Sequence, residues 1–370
     1  QLATAPGVNG FVTAGYDRTL RIWLIDNPHA EPTILASNSE FVDELAAAPI
    51  SATLYSIGAA FPAIQAWDTL GIAPHTPLTA TGESGMTALA ADPAGALIAA
   101  GDAAGAIYLW TPEVSTPFAT LTGHIGKISG VAIQPGNRLL ASAGDDGTVR
   151  LWEVATATEA RLLTEGAARG TALQFSADGA QLAVADSDGV VTLWQVDQPD
   201  AAPTRWQAGD RELSTVAFSP DATRLAAGDL GGRVWVWELA EPDHAARVWD
   251  AHANEVNMVT FGADRNQLMT ASADSTVRLW NLDAALPIPT VLAGHRASVN
   301  SVVYAEGMIF TASTDGTLRR WLLAPDDLTG RACMVAGRNL APEEWERFLP
   351  DIPCRTTCPN FPNRCGDSSG

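Results

Sequence analysis

The chain has 370 residues and a formal net charge of −20, and only one of its 22 basic residues is a lysine, Lys127. Apolar residues make up 46% and charged residues 17%, which is typical of a folded globular protein and excludes a disordered chain. No run of about 18 apolar residues occurs, so the sequence predicts no membrane insertion. The absence of clustered lysine and arginine argues against nucleic acid as a partner.

A sequence repeat runs through most of the chain. Eight similar segments each end in a tryptophan, and these are Trp23, Trp67, Trp110, Trp152, Trp194, Trp237, Trp280 and Trp321. The intervals between them are 44, 43, 42, 42, 43, 43 and 41 residues. Spacing this regular is the mark of a repeat architecture.

Each repeat contains four short strand patterns separated by turn residues. In the unit from Phe118 to Trp152 these are FATL, ISGVAI, RLLASAG and TVRLW, with GH, QPGN and DDG between them. The sequence therefore predicts an all-β protein. Because one four-stranded sheet cannot bury both of its faces alone, we expect the units to stack in a ring.

The period, the Gly-His before the second strand and the terminal tryptophan resemble the WD40-repeat family. The resemblance implies a β-propeller over residues 1–323, followed by a C-terminal tail over residues 324–370. It also implies that the first strand of each repeat forms the outer strand of the preceding blade. Since residue 1 already lies inside a repeat, we expect the chain to be a fragment or a processed product.

Two blade numbers fit the repeats. An eight-bladed ring leaves the last blade without its outer strand, because residues 1–23 supply only three strands. A seven-bladed ring leaves those three strands outside the ring. We favour eight blades, because three orphaned apolar strands would expose a large sheet face.

Histidine, hydroxyl, aspartate and tryptophan residues recur at fixed offsets in three repeats. The sets are His124, Ser142, Asp146 and Trp152; His252, Thr270, Asp274 and Trp280; and His295, Thr311, Asp315 and Trp321. Each set contains the residue types of a hydrolase triad. A catalytic site is normally built once, so the threefold occurrence favours a structural network. The family resemblance implies such a network within each blade.

The other repeats depart from this set. The hydroxyl position is predicted to be Ile57, Ala100, Val184 and Ala227, and the aspartate position to be Phe61, Ala104 and Gly231. Thr13 and Asp17 retain both groups in the first repeat. We expect these blades to depend more on packing.

Two further residue types recur. Arg21, Arg150, Arg278 and Arg319 stand two residues before the tryptophan, and the sequence favours ion pairs between strands or blades over a ligand ring. Trp206 and Trp249 lie on outer strands, where they either cover the edge of the propeller or anchor a partner. No histidine pair, P-loop or nucleophile elbow is found, so the sequence predicts no metal and no cofactor.

The sequence pattern of the tail differs from that of the repeats. Leu328, Ala332 and Val335 have helical spacing, and residues 341–349 predict a second short helix. The stretch RACMVAGRNLAPEEWERFLP resembles the tails of large bacterial WD-repeat proteins, some of which carry an NTPase of the STAND class. All four cysteines lie here, and free thiols, a Cys333–Cys358 disulfide and a metal site remain alternatives for Cys333, Cys354, Cys358 and Cys365.

These observations favour a non-enzymatic, cytoplasmic interaction module that binds a protein or peptide. The family resemblance implies a partner-binding face with Tyr16, Lys127, Asp145, Ser187, Asn257, Ala273, Arg296, Asn300 and Thr314. The regulatory sensor half of a STAND-type signalling or defence protein is an alternative. An enzyme with a site in the propeller channel is a third hypothesis, and it is disfavoured because only repeated sets are found.

Overall fold

The computed structural model describes residues 2–5, 10–14, 19–25, 33–37, 44–48, 53–57, 63–68, 77–80, 84–92, 95–112, 114–165, 168–198, 200–241, 244–284, 288–305 and 308–322. Within these ranges the chain forms eight antiparallel sheets, and in each sheet consecutive strands are neighbours. The predicted tail helices and the four cysteines lie outside the described residues.

The first four sheets are built in chain order. The first contains β1 (Leu2–Thr4), β2 (Gly10–Ala14), β3 (Thr19–Leu24) and β4 (Thr33–Ser37), and the second contains β5 (Glu44–Ala48), β6 (Thr53–Ile57), β7 (Ala63–Asp68) and β8 (Leu78–Thr79). The third contains β9 (Met86–Ala91), β10 (Ile98–Asp102), β11 (Ile107–Trp110) and β12 (Ala119–Leu121), and the fourth contains β13 (Ile128–Ile133), β14 (Leu139–Gly144), β15 (Thr148–Glu153) and β16 (Thr158–Glu165).

The last four sheets continue the pattern. The fifth contains β17 (Gly170–Phe175), β18 (Gln181–Asp186), β19 (Val190–Gln195) and β20 (Thr204–Gln207), and the sixth contains β21 (Leu213–Phe218), β22 (Arg224–Asp229), β23 (Arg233–Glu238) and β24 (Arg247–Asp250). The seventh contains β25 (Val256–Phe261), β26 (Gln267–Ser272), β27 (Thr276–Asn281) and β28 (Thr290–Ala293). The eighth contains β29 (Val299–Ala305), β30 (Met308–Ser313) and β31 (Leu318–Leu322).

The strand order confirms the eight-bladed prediction and excludes the seven-bladed alternative. The strands of residues 1–23 pair with β4 in a complete first sheet. The ring of Phe11 on β2 lies 3.9 Å, centroid to centroid, from that of Phe310 on β30. The first and eighth sheets therefore touch. Among the described residues, the eighth sheet has three strands, as predicted for an eight-bladed ring.

The chain divides into two compact units. The first comprises Gln1–Val303 with Phe310–Arg319, and the second comprises Tyr304–Ile309 with Arg320–Gly370. The packing and hydrogen bonds discussed below belong to the first unit.

Each middle strand is covered on both of its faces. Every residue of β10, β14 and β22 is buried, which an isolated sheet could not achieve. Alanines such as Ala141 and Ala226, both fully buried, leave room for the adjoining sheets to approach closely. The innermost strands of adjacent sheets contact one another. Stacking thus supplies the burial that the repeat needs.

The two outer-strand tryptophans pack between sheets. Trp206 of β20 lies 5.5 Å from Trp237 of the next sheet, and Trp249 of β24 stacks 5.7 Å from Trp280 of the next sheet, both measured between ring centroids. The guanidinium of Arg247 covers the Trp249 ring at 5.1 Å. These contacts favour the edge-covering interpretation of both residues over that of partner anchors.

Replacing Phe310 by alanine tests the contact between the first and eighth sheets. Phe310 is 3% exposed, so the cavity should lower the free energy of unfolding by about 3–5 kcal/mol. Phe118, which is 52% exposed, provides the control, and Phe118→Ala should have a much smaller effect. Urea unfolding followed by tryptophan fluorescence measures both. Equal unfolding midpoints for the two variants would contradict the closed ring.

Candidate functional site

A hydrogen-bonded chain of four side chains crosses the fourth sheet. The Nδ1 atom of His124 lies 3.0 Å from Asp146, and its Nε2 atom lies 2.7 Å from the hydroxyl of Ser142. The indole N–H of Trp152 donates to the same hydroxyl at 2.8 Å. The hydroxyl of Thr148, which sequence reasoning missed, donates to Asp146 at 2.8 Å. The chain is consistent when His124 is neutral and carries its proton on Nδ1.

The seventh sheet contains the same arrangement. His252 lies 2.9 Å from Asp274 and 2.7 Å from the hydroxyl of Thr270. The indole N–H of Trp280 donates to Thr270 at 3.1 Å. Thr276 takes the place of Thr148 and donates to Asp274 at 2.6 Å.

The described part of the eighth sheet repeats the first three members. His295 lies 3.0 Å from Asp315 and 2.7 Å from the hydroxyl of Thr311. Trp321, on β31, belongs to the second unit, and its role as the fourth member stays a prediction.

The three sets have the atom order of a hydrolase triad but lack an accessible nucleophile. Ser142, Thr270 and Thr311 are each 0% exposed. In the fourth and seventh sheets the hydroxyl oxygen also accepts the indole N–H, which engages one of its lone pairs. A triad serine must instead present its oxygen to a substrate.

Burial sets the protonation of these networks. It lowers the pKa of His124, and the hydrogen bond to Asp146 only partly opposes this effect. Burial would raise the pKa of Asp146, but hydrogen bonds from His124, Ile125 N–H and Thr148 outweigh it and lower the pKa to about 2. A neutral histidine therefore faces an ionised carboxylate at neutral pH.

The sheets that lack the histidine use a different aspartate. In the third, fifth and sixth sheets Asp102, Asp186 and Asp229 occupy the position of Gly144, two residues before the predicted one. The Oδ1 atom of Asp229 accepts the N–H groups of Gly231 and Arg233, both at 2.8 Å. Asp102 and Asp186 make the corresponding bonds. The loss of carboxylate predicted from Ala104 and Gly231 is therefore compensated.

In both arrangements the aspartate accepts a hydrogen bond from the same backbone N–H group, at the start of the third strand. Asp146 binds the N–H of Thr148 at 3.0 Å, and Arg233, whose N–H Asp229 binds, is the equivalent residue of the sixth sheet. A Cβ atom on Gly144 would lie 2.6 Å from Nδ1 of His124, so a large side chain there conflicts with the histidine. Gly209 stands at the histidine position of the sixth sheet. Each of the third to eighth sheets thus caps the turn with a carboxylate from one of two positions.

The first two sheets keep the bond between hydroxyl and indole. The N–H of Trp23 donates to Thr13 at 2.9 Å, and that of Trp67 donates to Ser56 at 2.8 Å. The prediction that Ile57 holds the hydroxyl position was wrong by one residue. Trp67 pairs with Leu54, 13 residues earlier, whereas Trp152 pairs with Leu140, 12 residues earlier, and this difference displaces the alignment counted back from the tryptophan. Asp17 and Phe61 lie outside the described residues.

The third sheet leaves its tryptophan without an acceptor. Ala100 occupies the hydroxyl position, and the indole N–H of Trp110 is buried with no hydrogen-bond partner among the described residues. Tyr108 stands where the fourth sheet has Arg150, and its hydroxyl donates to Asp102 at 3.2 Å. Burial and the adjacent carboxylate raise the pKa of Tyr108.

One of the recurring arginines forms the expected ion pair. Arg150 binds Glu159 on the neighbouring strand β16. This contact lies within one sheet, so the inter-strand interpretation applies to Arg150.

The predicted partner-binding residues lie mostly at one edge of the sheets. We call this edge the rim and define it by two groups of residues. The approach residues, which directly precede the first strand of a sheet, are Gly85, Lys127, Arg169, Glu212, Glu255 and Ser298. The turn residues, which lie between the second and third strands, are Ala103, Asp145, Ser187, Leu230, Ala273 and Thr314.

Every turn residue of the rim is bonded to an approach residue. In each of the third to eighth sheets the turn N–H donates to the approach carbonyl, at 2.8–3.1 Å. The predicted residues Lys127, Asp145, Ser187, Ala273 and Thr314 belong to the rim. The others do not, since Arg296 follows the eighth sheet's histidine, Asn257 and Asn300 lie on first strands, and Tyr16 lies outside the described residues.

Three of the predicted binding residues, Asp145, Asn257 and Asn300, contact the side chain of an approach residue, Arg169 or Ser298. Arg169 lies 2.7 Å from Glu212 and 4.0 Å from Asp145, so it joins the fourth, fifth and sixth sheets. The hydroxyl of Ser298 donates to Asn300 at 2.9 Å and accepts from Asn257 at 2.8 Å. Asn257 therefore serves the junction between the seventh and eighth sheets.

A row of inter-sheet hydrogen bonds was missed by sequence reasoning. In the third to seventh sheets a side chain near the start of the first strand donates to a carbonyl on the next sheet. The donors and acceptors are Thr87 to Ile128, Ser129 to Gly170, Thr171 to Leu213, Ser214 to Val256 and Asn257 to Val299. The donors recur 42 or 43 residues apart, so the tryptophan period could have revealed them.

Two other kinds of site are absent from the part of the chain that the structure describes. No group of three or more potential metal ligands occurs among the described residues. Nor does any described helix have the length and apolarity needed to cross a bilayer.

Alanine substitutions of the three histidines test the networks. Each of His124→Ala, His252→Ala and His295→Ala should lower the free energy of unfolding by about 1–3 kcal/mol, because each leaves buried polar groups unpaired. The losses should add in the triple variant, since the networks share no residue. Thermal unfolding measures all four variants. A histidine whose loss removes an activity but not stability would favour catalysis.

Ala100→Ser should restore the missing acceptor for Trp110. Its hydroxyl would take the place that Ser142 has in the fourth sheet, so we expect a gain of about 0.5–1.5 kcal/mol in the free energy of unfolding. Ala99→Ser is the matched control, because Ala99 is equally buried and its side chain points to the opposite sheet face. The control should lose stability. Urea titration compares the two, and a loss for both would contradict the assignment.

Comparison with known proteins agrees with this geometry. The model of the WD domain, G-beta repeat family matches residues 115–153, 168–195, 206–238, 244–281 and 287–321. The crystal structure of the computationally designed Ika8 protein is similar, with a TM-score of 0.73, 20% identity, and coverage of 87% of this chain and 95% of that one. No curated protein sequence matches. The chain therefore contains five segments that match WD40 repeats, and its eight sheets have the arrangement of an eight-bladed β-propeller.

Proposed function

We propose that this chain is a non-enzymatic interaction module that binds a protein or peptide at the rim. WD40 propellers are generally protein-interaction scaffolds. The observation that carries the proposal is the pairing of approach and turn residues. Six backbone hydrogen bonds fix the rim in six successive sheets, while its side chains differ from sheet to sheet. A surface ordered before binding loses little conformational entropy when it binds.

The polar networks support a role without catalysis. The same histidine, hydroxyl and aspartate geometry occurs in three sheets, and its hydroxyls are buried. Their bonds also extend to the loops, since Asp146 holds the N–H of Ile125 at 2.9 Å and Asp315 holds that of Arg296 at 2.9 Å. We assign the networks the task of fixing these loops.

The overall charge favours a protein partner over nucleic acid. Acidic residues number 42 against 22 basic ones. At the rim, the cation Arg169 is already shared by two carboxylates. A phosphate backbone would meet few free cations here.

The single lysine of the chain provides a test of the binding face. Lys127 is exposed at the rim, so an amine-reactive crosslinker couples a rim-bound partner through this residue. We expect a crosslinked product with extract of the source organism, identified by peptide mapping at Lys127. Lys127→Arg keeps the charge and reveals any coupling through the terminal amine.

The control moves the amine to the opposite edge of the same sheet. Arg138 lies in the turn between β13 and β14, and its side chain is 52% exposed. The double variant Lys127→Arg, Arg138→Lys should bind the same partner and lose the crosslink. A crosslink that forms only through the lysine at position 138 would place the partner on the opposite edge and contradict the proposal.

A further inference from the structure

The approach residues differ in charge around the rim. Those of the fourth and fifth sheets are the cations Lys127 and Arg169, and those of the sixth and seventh are the anions Glu212 and Glu255. The approach residues of the third and eighth sheets, Gly85 and Ser298, are uncharged. Opposite charges thus lie at opposite ends of a run of four sheets.

In the middle of this run the cation Arg169 is paired with two carboxylates. Arg169 is held between Asp145 and Glu212, at 4.0 Å and 2.7 Å. Lys127 and Glu255 are exposed, and neither forms an ion pair within the described ranges. The two ends of the run therefore have charge available to a ligand.

The backbone positions of both end residues are fixed. The carbonyl of Lys127 accepts the N–H of Asp145 at 2.8 Å, and that of Glu255 accepts the N–H of Ala273 at 3.0 Å. Ala273 is small and leaves the carboxylate of Glu255 uncovered.

An apolar side chain lies between the two charged ends. Leu230, the turn residue of the sixth sheet, is 39% exposed. Its N–H is bonded to the carbonyl of Glu212 at 3.1 Å, so its position on the rim is also fixed. Outside the rim, Arg211 folds against Gly231 of the same sheet, where its Cδ would lie 2.6 Å from a Cβ atom.

We propose that the rim recognises a peptide segment with an acidic residue at one end, an apolar residue between and a basic residue at the other end. The acidic residue binds Lys127, the apolar residue contacts Leu230 and the basic residue binds Glu255. This inference rests on the proposed function and adds the chemistry and direction of the ligand. Charge complementarity of this kind sets the orientation of a partner more than its affinity.

Peptide selection tests the proposal without a known partner. A random twelve-residue phage library is selected on the immobilised full chain, and the enriched peptides are synthesised. We expect them to contain an acidic and a basic residue in one fixed order with an apolar residue between. Their binding, measured by fluorescence anisotropy, should weaken as the salt concentration rises.

Charge reversal at the rim supplies the decisive comparison. Lys127→Glu and Glu255→Lys should each weaken binding of the selected peptides by about three- to tenfold, as reversal of an exposed pair does. The variant with both changes should bind peptides in which the acidic and basic residues are exchanged. Arg138→Glu, on the opposite edge, is the control and should alter affinity less than twofold. Near-ultraviolet circular dichroism checks that each variant is folded.

The outcomes separate this inference from the proposed function. Selected peptides without a charge order, or affinities that both reversals leave unchanged, overturn the inference. If such peptides still crosslink to Lys127, the rim remains the binding face and only the charge assignment fails. If Arg138→Glu alone weakens binding, both the inference and the rim assignment fail. An absence of any enriched peptide also overturns the inference.

Discussion

Every sheet of this protein depends on its neighbours to cover its two faces. A meander of four short strands cannot bury both faces alone, and here the second strands of the third, fourth and sixth sheets are buried from end to end. That requirement explains the alanines where sheets converge, the paired tryptophans at the outer strands and the closing contact of Phe11 with Phe310. It also explains the period, because each sheet must present similar surfaces to both sides.

Because the sheets stack closely, the polar groups inside them need hydrogen-bond partners within the protein. The backbone N–H at the start of the third strand needs an acceptor, and the protein supplies a carboxylate in two ways. With a histidine, Asp146 and its equivalents serve the group and also hold the neighbouring loop. Without one, Asp229 and its equivalents serve it from two residues earlier. In the fourth sheet a Cβ atom at Gly144 would collide with His124, so an aspartate at that position would conflict with the histidine there.

The sequence was sufficient for the fold because the repeat is strict where sheets touch. Tryptophan spacing and turn residues predicted eight units, and the closing of the ring followed from the cost of exposed strands. Assignments of individual residues were wrong where the number of residues between two strands changes, or where either of two positions can supply the same hydrogen bond. Ser56 was missed because the pairing of Trp67 spans one residue more than that of Trp152, and Asp102 was missed because its neighbour Ala104 occupies the family position. No single-repeat pattern shows which carbonyl of the next sheet a hydroxyl such as Ser129 will reach.

The residues of the proposed binding face were harder to predict than those that pack between the sheets, and the reason is physical. Residues that pack or bond between sheets must repeat, whereas rim side chains face solvent and can differ in each repeat. Asn257, which was predicted to bind a partner, is instead hydrogen-bonded to the next sheet, because a polar group near the junction of two sheets finds a partner there. The side chains of Lys127, Leu230 and Glu255 are exposed at the rim, and the proposed ligand contacts these three. In the proposed function, a rigid ring with a variable edge separates stability from recognition, so we expect substitutions at the rim to alter what is bound while the buried networks continue to hold the loops in place.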